Sequence, residues 1–228
     1  MNLKTPILFA ALLGAATAAG SDARACGYFN YREVRPAVQV RPRPVPVAAN
    51  DRIAAADQRL EEERLTEAGV QVTSAFPGIR QTFAGGSPLE TRALRILSLA
   101  LVRSEGTLRG VPGFSGASEA ERGANLEWAT RTLRSIDSLR PNDPVTQADL
   151  AEALAARAPH EEESLAILAD LASRDLVGSA HAYAALARLR ASKGDAAASR
   201  EALGRCELMT KSPTVACRAP DGRLAMGG

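Results

Sequence analysis

From Asn50 onward, apolar positions recur three or four residues apart, which is the spacing of one face of an α-helix. Proline and glycine, which end helices, separate the segments that carry this spacing. The pattern predicts an all-α fold of seven or eight helices, packed as consecutive antiparallel hairpins. The predicted helices cover approximately 51–67 with a continuation to 76, then 88–103, 118–140, 145–157, 160–174, 179–192 and 195–209. The alternative for the first of these is a degenerate hairpin of 51–62 and 64–76.

Two of these segments have a distinctive pattern. The helix over 88–103 is apolar on nearly every side, which is typical of a helix at the centre of a core. A glycine-rich loop follows over 105–117, and it is long for a connection between two helices. Ser118 and Glu121 then have the spacing of a capping box, which predicts the start of the next helix.

Residues 1–25 have the pattern of a signal peptide. Lys4 supplies a positive charge, and 7–19 form an uncharged apolar stretch that is too short to span a membrane. A small-residue A-x-A site ends at Ala25, which predicts cleavage there and leaves Cys26 as the first mature residue. We therefore expect an exported protein, located in the periplasm or outside the cell.

The cysteine at the predicted mature N-terminus raises an alternative. Bacterial lipoproteins carry a Leu-small-small motif directly before the cysteine that is lipidated. Ala25 fits that motif, but Ala23 stands in place of the leucine and Arg24 is a charged residue. Ordinary cleavage is therefore the first interpretation, and a membrane contact is expected only if Cys26 is lipidated.

Residues 26–49 differ in character from the rest of the chain. Four prolines between 36 and 46 favour extended polyproline II and exclude a regular helix. We interpret this segment as a semi-rigid Pro/Arg-rich tether, although it could also be a docking strip for a proline-recognising or anionic partner. The predicted organisation then continues with a helical domain over 50–213 and a C-terminal tail over 214–228.

Composition and charge narrow the possible functions. The net charge is only +2, whereas a nucleic-acid-binding domain normally has a basic excess on one face, so that class is set aside. His160 and His181 are the only histidines, and His160 lacks the second histidine that a zinc-protease helix requires. Because no nucleophile motif such as G-x-S-x-G is present either, we expect a non-catalytic protein without a metal or cofactor.

The segment 180–213 has large and small residues at defined positions of two predicted helices. They are Tyr183, Leu186 and Ala187 in the first helix, Gly194 and Asp195 in the turn, Leu203 and Cys206 in the second helix, and Pro213 after it. At these positions the segment resembles a tetratricopeptide repeat, with Ser199 as a departure where the family prefers alanine. The rest of 50–213 resembles the family more weakly. The resemblance implies a right-handed α-solenoid, and the alternative is an alanine-rich helical bundle.

The resemblance also implies how the protein works. In tetratricopeptide repeats, the first helices of the hairpins line a concave groove that binds another protein or peptide. We therefore expect an exported, non-catalytic scaffold whose partner is an unknown protein or peptide. The alternative is a lipid-anchored structural component of the cell envelope. The residues expected to face the groove, unless they are ordinary solvated side chains, are Arg92, Arg95, Glu152, His181 and Arg188.

The cysteines predict one disulfide bond. Thiols tend to pair in the oxidising compartments that exported proteins reach. Cys26 is separated from the other two cysteines by the tether, whereas Cys206 and Cys217 lie close together in the sequence. A Cys206–Cys217 bond would hold the tail over the open end of the last repeat, where a solenoid needs a cap. The alternative is two unpaired cysteines.

Overall fold

The structure, a computed structural model, describes residues 47–210 and Cys217, which belong to the compact unit 41–228. All regular structure in this part of the chain is helical, so the predicted all-α class is confirmed. None of the described helices is both long enough and apolar enough to cross a membrane. The α-helices are α1 (Val47–Glu61), α2 (Leu65–Ala75), α3 (Pro88–Arg103), α4 (Glu119–Leu139), α5 (Pro144–Ala155), α6 (Glu161–Ser173), α7 (Ala180–Ser192) and α8 (Ala196–Met209), with 3-10 helices at Ile79–Gln81 and Ala158–His160.

Several predictions lie outside the described residues. These include the signal peptide with its cleavage site at Ala25 and Cys26, most of the tether and most of the C-terminal tail. The end of the predicted tether is described, however, and it is helical. Helix α1 begins at Val47, and Ala49 is buried in the core, so the helical domain starts before the expected boundary at residue 50.

The predicted helix boundaries agree closely with the observed ones. The chain is interrupted at 62–64, so the separate helices α1 and α2 agree with the predicted hairpin of 51–62 and 64–76 and not with a single continued helix. Capping residues account for several starts. Ser87 accepts a hydrogen bond from the Glu90 amide at 3.1 Å and Glu90 accepts one from the Ser87 amide at 2.9 Å, which forms a complete capping box before α3.

Helices that follow one another in the chain pack in pairs. The most extensive contacts join α1 with α2, α3 with α4, α5 with α6, and α7 with α8. A second set of contacts joins the odd-numbered helices in series, from α1 to α3, α3 to α5, and α5 to α7. The odd-numbered helices therefore run side by side through the described domain, and their side chains can interact across pair boundaries.

The core consists of two hydrophobic clusters. The first cluster lies between α1 and α5 and is centred on α3, whose apolar residues from Leu94 to Val102 are buried. The second cluster involves α5 to α8 and includes Leu168, Leu186 and Leu203. Ile167 on α6 packs against both clusters.

The glycine-rich loop between α3 and α4 contributes to the first cluster. Its residues Leu108, Val111 and Phe114 are buried, and the Phe114 ring packs edge-on against Trp128 of α4 with 5.1 Å between the ring centroids. The Trp128 indole N–H donates to the Arg80 carbonyl at 3.0 Å. The predicted loop is therefore a packed element that closes one side of the core.

The predicted disulfide bond is present. Cys206 of α8 is bonded to Cys217, with 5.8 Å between their Cα atoms. Both residues are buried in the second hydrophobic cluster. The bond therefore fixes one point of the C-terminal tail against the last helix of the described domain.

Candidate functional site

The five residues predicted to face a groove all lie on odd-numbered helices. Arg92 and Arg95 lie on α3, Glu152 lies on α5, and His181 and Arg188 lie on α7. Four of them form ion pairs or hydrogen bonds with charged residues that the sequence analysis did not single out. We call the resulting set the charged network; its members are Asp57, Glu63, Arg92, Arg95, Arg103, Asp149, Glu152, His181 and Arg188.

Arg95 and Asp149 join α3 to α5 by a bidentate contact. The guanidinium donates from Nε and Nη2 to the two carboxylate oxygens, the second bond measuring 3.2 Å. The side chain of Asp149 is only 4% exposed, whereas that of Arg95 is 32% exposed. Burial raises the pKa of the Asp149 carboxyl above its ordinary value, against the opposing effect of Arg95.

Arg103 and Glu152 form a second pair between the same helices. The guanidinium Nε and Nη2 donate to the carboxylate oxygens of Glu152 at 2.9 and 3.2 Å, and both side chains are buried. Burial alone would raise the pKa of Glu152, but Arg103, with smaller contributions from His181 and Arg188, holds that pKa below its ordinary value. Glu152 is therefore a buried, ionised group whose two carboxylate oxygens both accept hydrogen bonds from Arg103.

Glu63 and His181 connect the first helix pair to the fourth. Glu63 occupies the turn between α1 and α2 with a φ of 60°, a left-handed conformation that is uncommon for residues other than glycine. Its Oε1 lies 2.5 Å from His181 Nε2 at the start of α7, and both side chains are mostly buried. Its Oε2 is shielded from solvent and has no hydrogen-bond partner among the described residues.

The remaining members are more accessible. Arg92 pairs with Asp57 of α1 at 2.5 Å, and the arginine side chain is 47% exposed. Arg188 is exposed and forms no ion pair or hydrogen bond in the described part of the chain. It nevertheless lies near enough to Glu152 to contribute to the lowered pKa of that carboxyl.

The helical period predicts the helices that carry this network, but it does not identify four of the nine members. Asp57, Arg103 and Asp149 have no distinctive pattern, and Glu63 belongs to a run of glutamates that indicates a solvated face, because a charged residue is normally expected at the surface. One signal was available. Asp149 and Glu152 are three residues apart on α5, a spacing that places both carboxylates on one helix face.

A second feature is a small cleft of about 140 Å³ between α6, α7 and α8. Its polar lining residues are Ser173 of α6, Tyr183 and Arg190 of α7, and Glu201 and Arg205 of α8. Arg190 donates to the Ala198 carbonyl at 3.1 Å and therefore supports the turn between α7 and α8. The cleft is too small to hold more than a few atoms of a ligand.

The other residues considered for chemistry have local contacts. His160 lies 3.7 Å from Glu163 on the first turn of α6. Within the described residues, no group of three or more histidine, cysteine, aspartate or glutamate side chains is arranged to hold a metal ion. In comparisons with known proteins, the chain matches no protein-family model, no curated protein and no solved structure.

Proposed function

We propose that this protein is an exported, non-catalytic scaffold that binds another protein or peptide through the face formed by its odd-numbered helices. The observation that carries the proposal is the charged network. The network combines side chains from all four helix pairs along the neighbouring odd-numbered helices, and some of these side chains stay accessible to solvent. A surface shared by several structural units suits an extended partner better than a small molecule.

We further propose that the helix pairs are repeats of a tetratricopeptide-like right-handed solenoid. A repeated hydrogen bond supports this arrangement. The Ser199 hydroxyl on α8 donates to the Ala187 carbonyl on α7 at 2.9 Å, and the Ser164 hydroxyl on α6 donates to the Ala151 carbonyl on α5 at 2.7 Å. Each serine is the fourth residue of its helix and each alanine the eighth, so the two pairs use the same connection.

The repeated bond also explains the departure at Ser199 from the alanine that the family prefers. Ser199 and Ser164 are both buried, and a buried hydroxyl needs a hydrogen-bond partner. The carbonyl of the neighbouring first helix provides that partner in both pairs. In a solenoid of this kind, the first helices line the concave side, which places the charged network on the surface that receives a partner.

Site-specific photo-crosslinking tests the proposed function. A photoreactive amino acid would replace Arg92 or Arg188 in the full chain, expressed with its own N-terminal segment in the source organism. The matched control is Arg131 on α4, whose side chain is 68% exposed and lies outside the charged network. We expect the same polypeptide to be crosslinked from positions 92 and 188 but not from 131.

The same experiment can contradict the proposal. Crosslinking of one polypeptide from position 131 but not from 92 or 188 would place the binding surface on another face of the domain. Recovery of the protein from the exported fraction tests the compartment, and the mass of its mature N-terminus distinguishes ordinary cleavage from lipidation of Cys26.

A further inference from the structure

We propose that the charged network binds an acidic stretch of polypeptide, rich in aspartate or glutamate and at least six residues long. This inference rests on the proposed function, because it names the chemistry of the partner that the same face receives. It follows from which parts of the network are exposed, which hydrogen-bond donors remain unused, and how far apart the arginines lie.

The accessible part of the network is mainly guanidinium. The side chains of Arg92 and Arg95 are 47% and 32% exposed, whereas the carboxylates of Asp149 and Glu152 are almost completely buried. Each buried pair has no net charge, but its arginine is more exposed to the solvent than its carboxylate. A ligand that approaches α3 and α5 therefore meets arginine before the two carboxylates of α5, and the more exposed carboxylate nearby, Asp57 of α1 at 26%, is already paired with Arg92.

These arginines also retain donors. A guanidinium has five N–H donors in a planar fork that matches a carboxylate. Arg95 uses Nε and Nη2 for Asp149, and Arg92 contacts Asp57 through Nη2. Arg188 uses none of its donors in the described part of the chain. Three arginines can therefore donate to additional carboxylate oxygens without breaking the pairs that hold the helices together.

The spacing of the arginines suits an extended chain. Arg92 and Arg95 are one helical turn apart on α3, about 5–6 Å between their Cβ atoms. In an extended peptide, side chains on the same face repeat about every 6.6 Å, so alternate acidic residues can reach both arginines. Arg188 lies two helices away on α7, which corresponds to about 16–20 Å at usual helix packing distances. Six extended residues span that distance.

Other anionic partners fit this face less well. Nucleic acid presents a dense row of phosphates, and the proteins that bind it usually have a strong basic excess, whereas this chain has a net charge of only +2. A lipid bilayer is flat, whereas the first helices of the proposed solenoid line a concave side. An extended acidic segment can enter that side and place single carboxylates against single arginines.

Fluorescence anisotropy with a labelled octaglutamate peptide tests the inference on the full mature chain at low salt. We expect saturable binding that weakens as salt is added, since exposed charge contacts are screened. Arg188→Glu should reduce the affinity at least tenfold. Arg188 makes no hydrogen bond or ion pair among the described residues, so this variant should still fold, which circular dichroism would check. Its melting temperature should fall slightly, because Arg188 helps to stabilise the ionised form of the buried Glu152. Arg131→Glu, the same charge change on α4, should leave the affinity unchanged.

Four results would overturn the inference, and the last of them leaves the proposed function intact. One is octaglutamate binding that Arg188→Glu and Arg92→Gln do not weaken. Another is equal or tighter binding of octalysine. The third is binding of duplex DNA or of vesicles with anionic lipids that is equally tight and equally sensitive to Arg188→Glu. If octaglutamate does not bind but positions 92 and 188 still crosslink to one polypeptide, the acidic partner is wrong and the proposed function stands.

Discussion

Glu63 and His181 are separated by 118 residues in the sequence, yet their side chains approach to 2.5 Å between Oε1 and Nε2. The contact joins the turn of the first helix pair to the start of the fourth. A glutamate with a left-handed φ is unfavourable by itself, since this conformation brings its Cβ close to the backbone. The contact with His181 gives a physical reason for glutamate, rather than glycine, at this turn.

A double-mutant cycle measures this contact. Glu63→Gln and His181→Gln should each destabilise the domain, and the cycle should give a coupling of about 1–2 kcal/mol, because both side chains are mostly buried. Urea denaturation monitored by circular dichroism provides the values. The control cycle uses Asp170 and Arg174, an exposed pair on one helix turn, which should couple by less than about 0.5 kcal/mol. Equal couplings in the two cycles would contradict a specific role for the Glu63 contact.

The buried pair of Arg103 and Glu152 should respond to substitution in a non-additive way. Arg103→Met leaves an unpaired buried carboxylate and should cost about 3–5 kcal/mol of unfolding free energy. Adding Glu152→Met removes that charge and should restore most of the loss. Urea denaturation of the wild type, both single variants and the double variant checks this. A double variant no more stable than Arg103→Met alone would contradict this expectation.

Two neighbouring carboxyls should give opposite pH dependences. Folding lowers the pKa of Glu152, so the unfolded chain binds this proton first as the pH falls. The stability that Glu152 contributes is therefore lost as the pH falls toward the pKa that Glu152 has in the folded protein. The pKa of Asp149 is raised, so the folded protein binds that proton first. The contribution of Asp149 is therefore complete below its unfolded pKa, about 3.9, and is lost as the pH rises through the folded pKa.

Denaturation between pH 3 and 7 separates the two effects. The stability difference between the wild type and Glu152→Gln should shrink as the pH falls below about 4.5, since the wild type loses its advantage there. The difference between the wild type and Asp149→Asn should grow over the acidic range, as Asp149 becomes protonated in the folded state. Parallel pH profiles for the two variants would contradict these opposite pKa shifts.

Reduction of the disulfide bond should destabilise the second hydrophobic cluster. The bond between Cys206 and Cys217 closes a short ring, for which chain entropy predicts about 3 kcal/mol of stabilisation. Cys217→Ser should lower the melting temperature by several degrees, and reducing agent should then have no further effect. Cys26→Ser is the control and should melt like the wild type. An unchanged melting temperature in Cys217→Ser would mean that the bond does not constrain the unfolded chain.

Two glycines should respond in opposite directions to alanine. Gly106 has a φ of 79°, and a Cβ at this position would lie 2.5 Å from the Arg122 carbonyl oxygen, so Gly106→Ala should destabilise the domain by about 2 kcal/mol or more. Gly123 lies within α4, where a Cβ would meet nothing within 4 Å. Gly123→Ala should therefore stabilise the domain by about 0.5–1 kcal/mol. Thermal melts of the two variants provide the comparison.

The sequence predicted the helices well because local signals determine where they begin and end. Ser87 and Pro88, for example, mark the start of α3 with a cap and a fixed φ. It did not predict that Leu108 and Phe114 are buried, because glycines around them indicated a loop and loops normally lie on the surface. Their spacing of six residues gives no helical face, and only the neighbouring helices determine where they pack.

The charged network was predicted in part for a related reason. The helical period predicts that Arg92, Arg95 and Glu152 lie on solvent-accessible faces of their helices. Which carboxylate meets which arginine depends on how α3 packs against α5. Asp149 could have been a solvated helix residue on pattern alone, and Arg95 offsets only part of the cost of burying its carboxylate.

The two hydrophobic clusters contain different chromophores. Trp128, the single tryptophan of the chain, belongs to the first cluster, where it contacts Phe114. Tyr183 is buried in the second cluster, and the other two tyrosines precede residue 47. Indole emission therefore reports on the N-terminal half of the domain alone. In a variant without tryptophan and without the two N-terminal tyrosines, the phenol of Tyr183 would report on the C-terminal half, so each half has its own fluorescent probe.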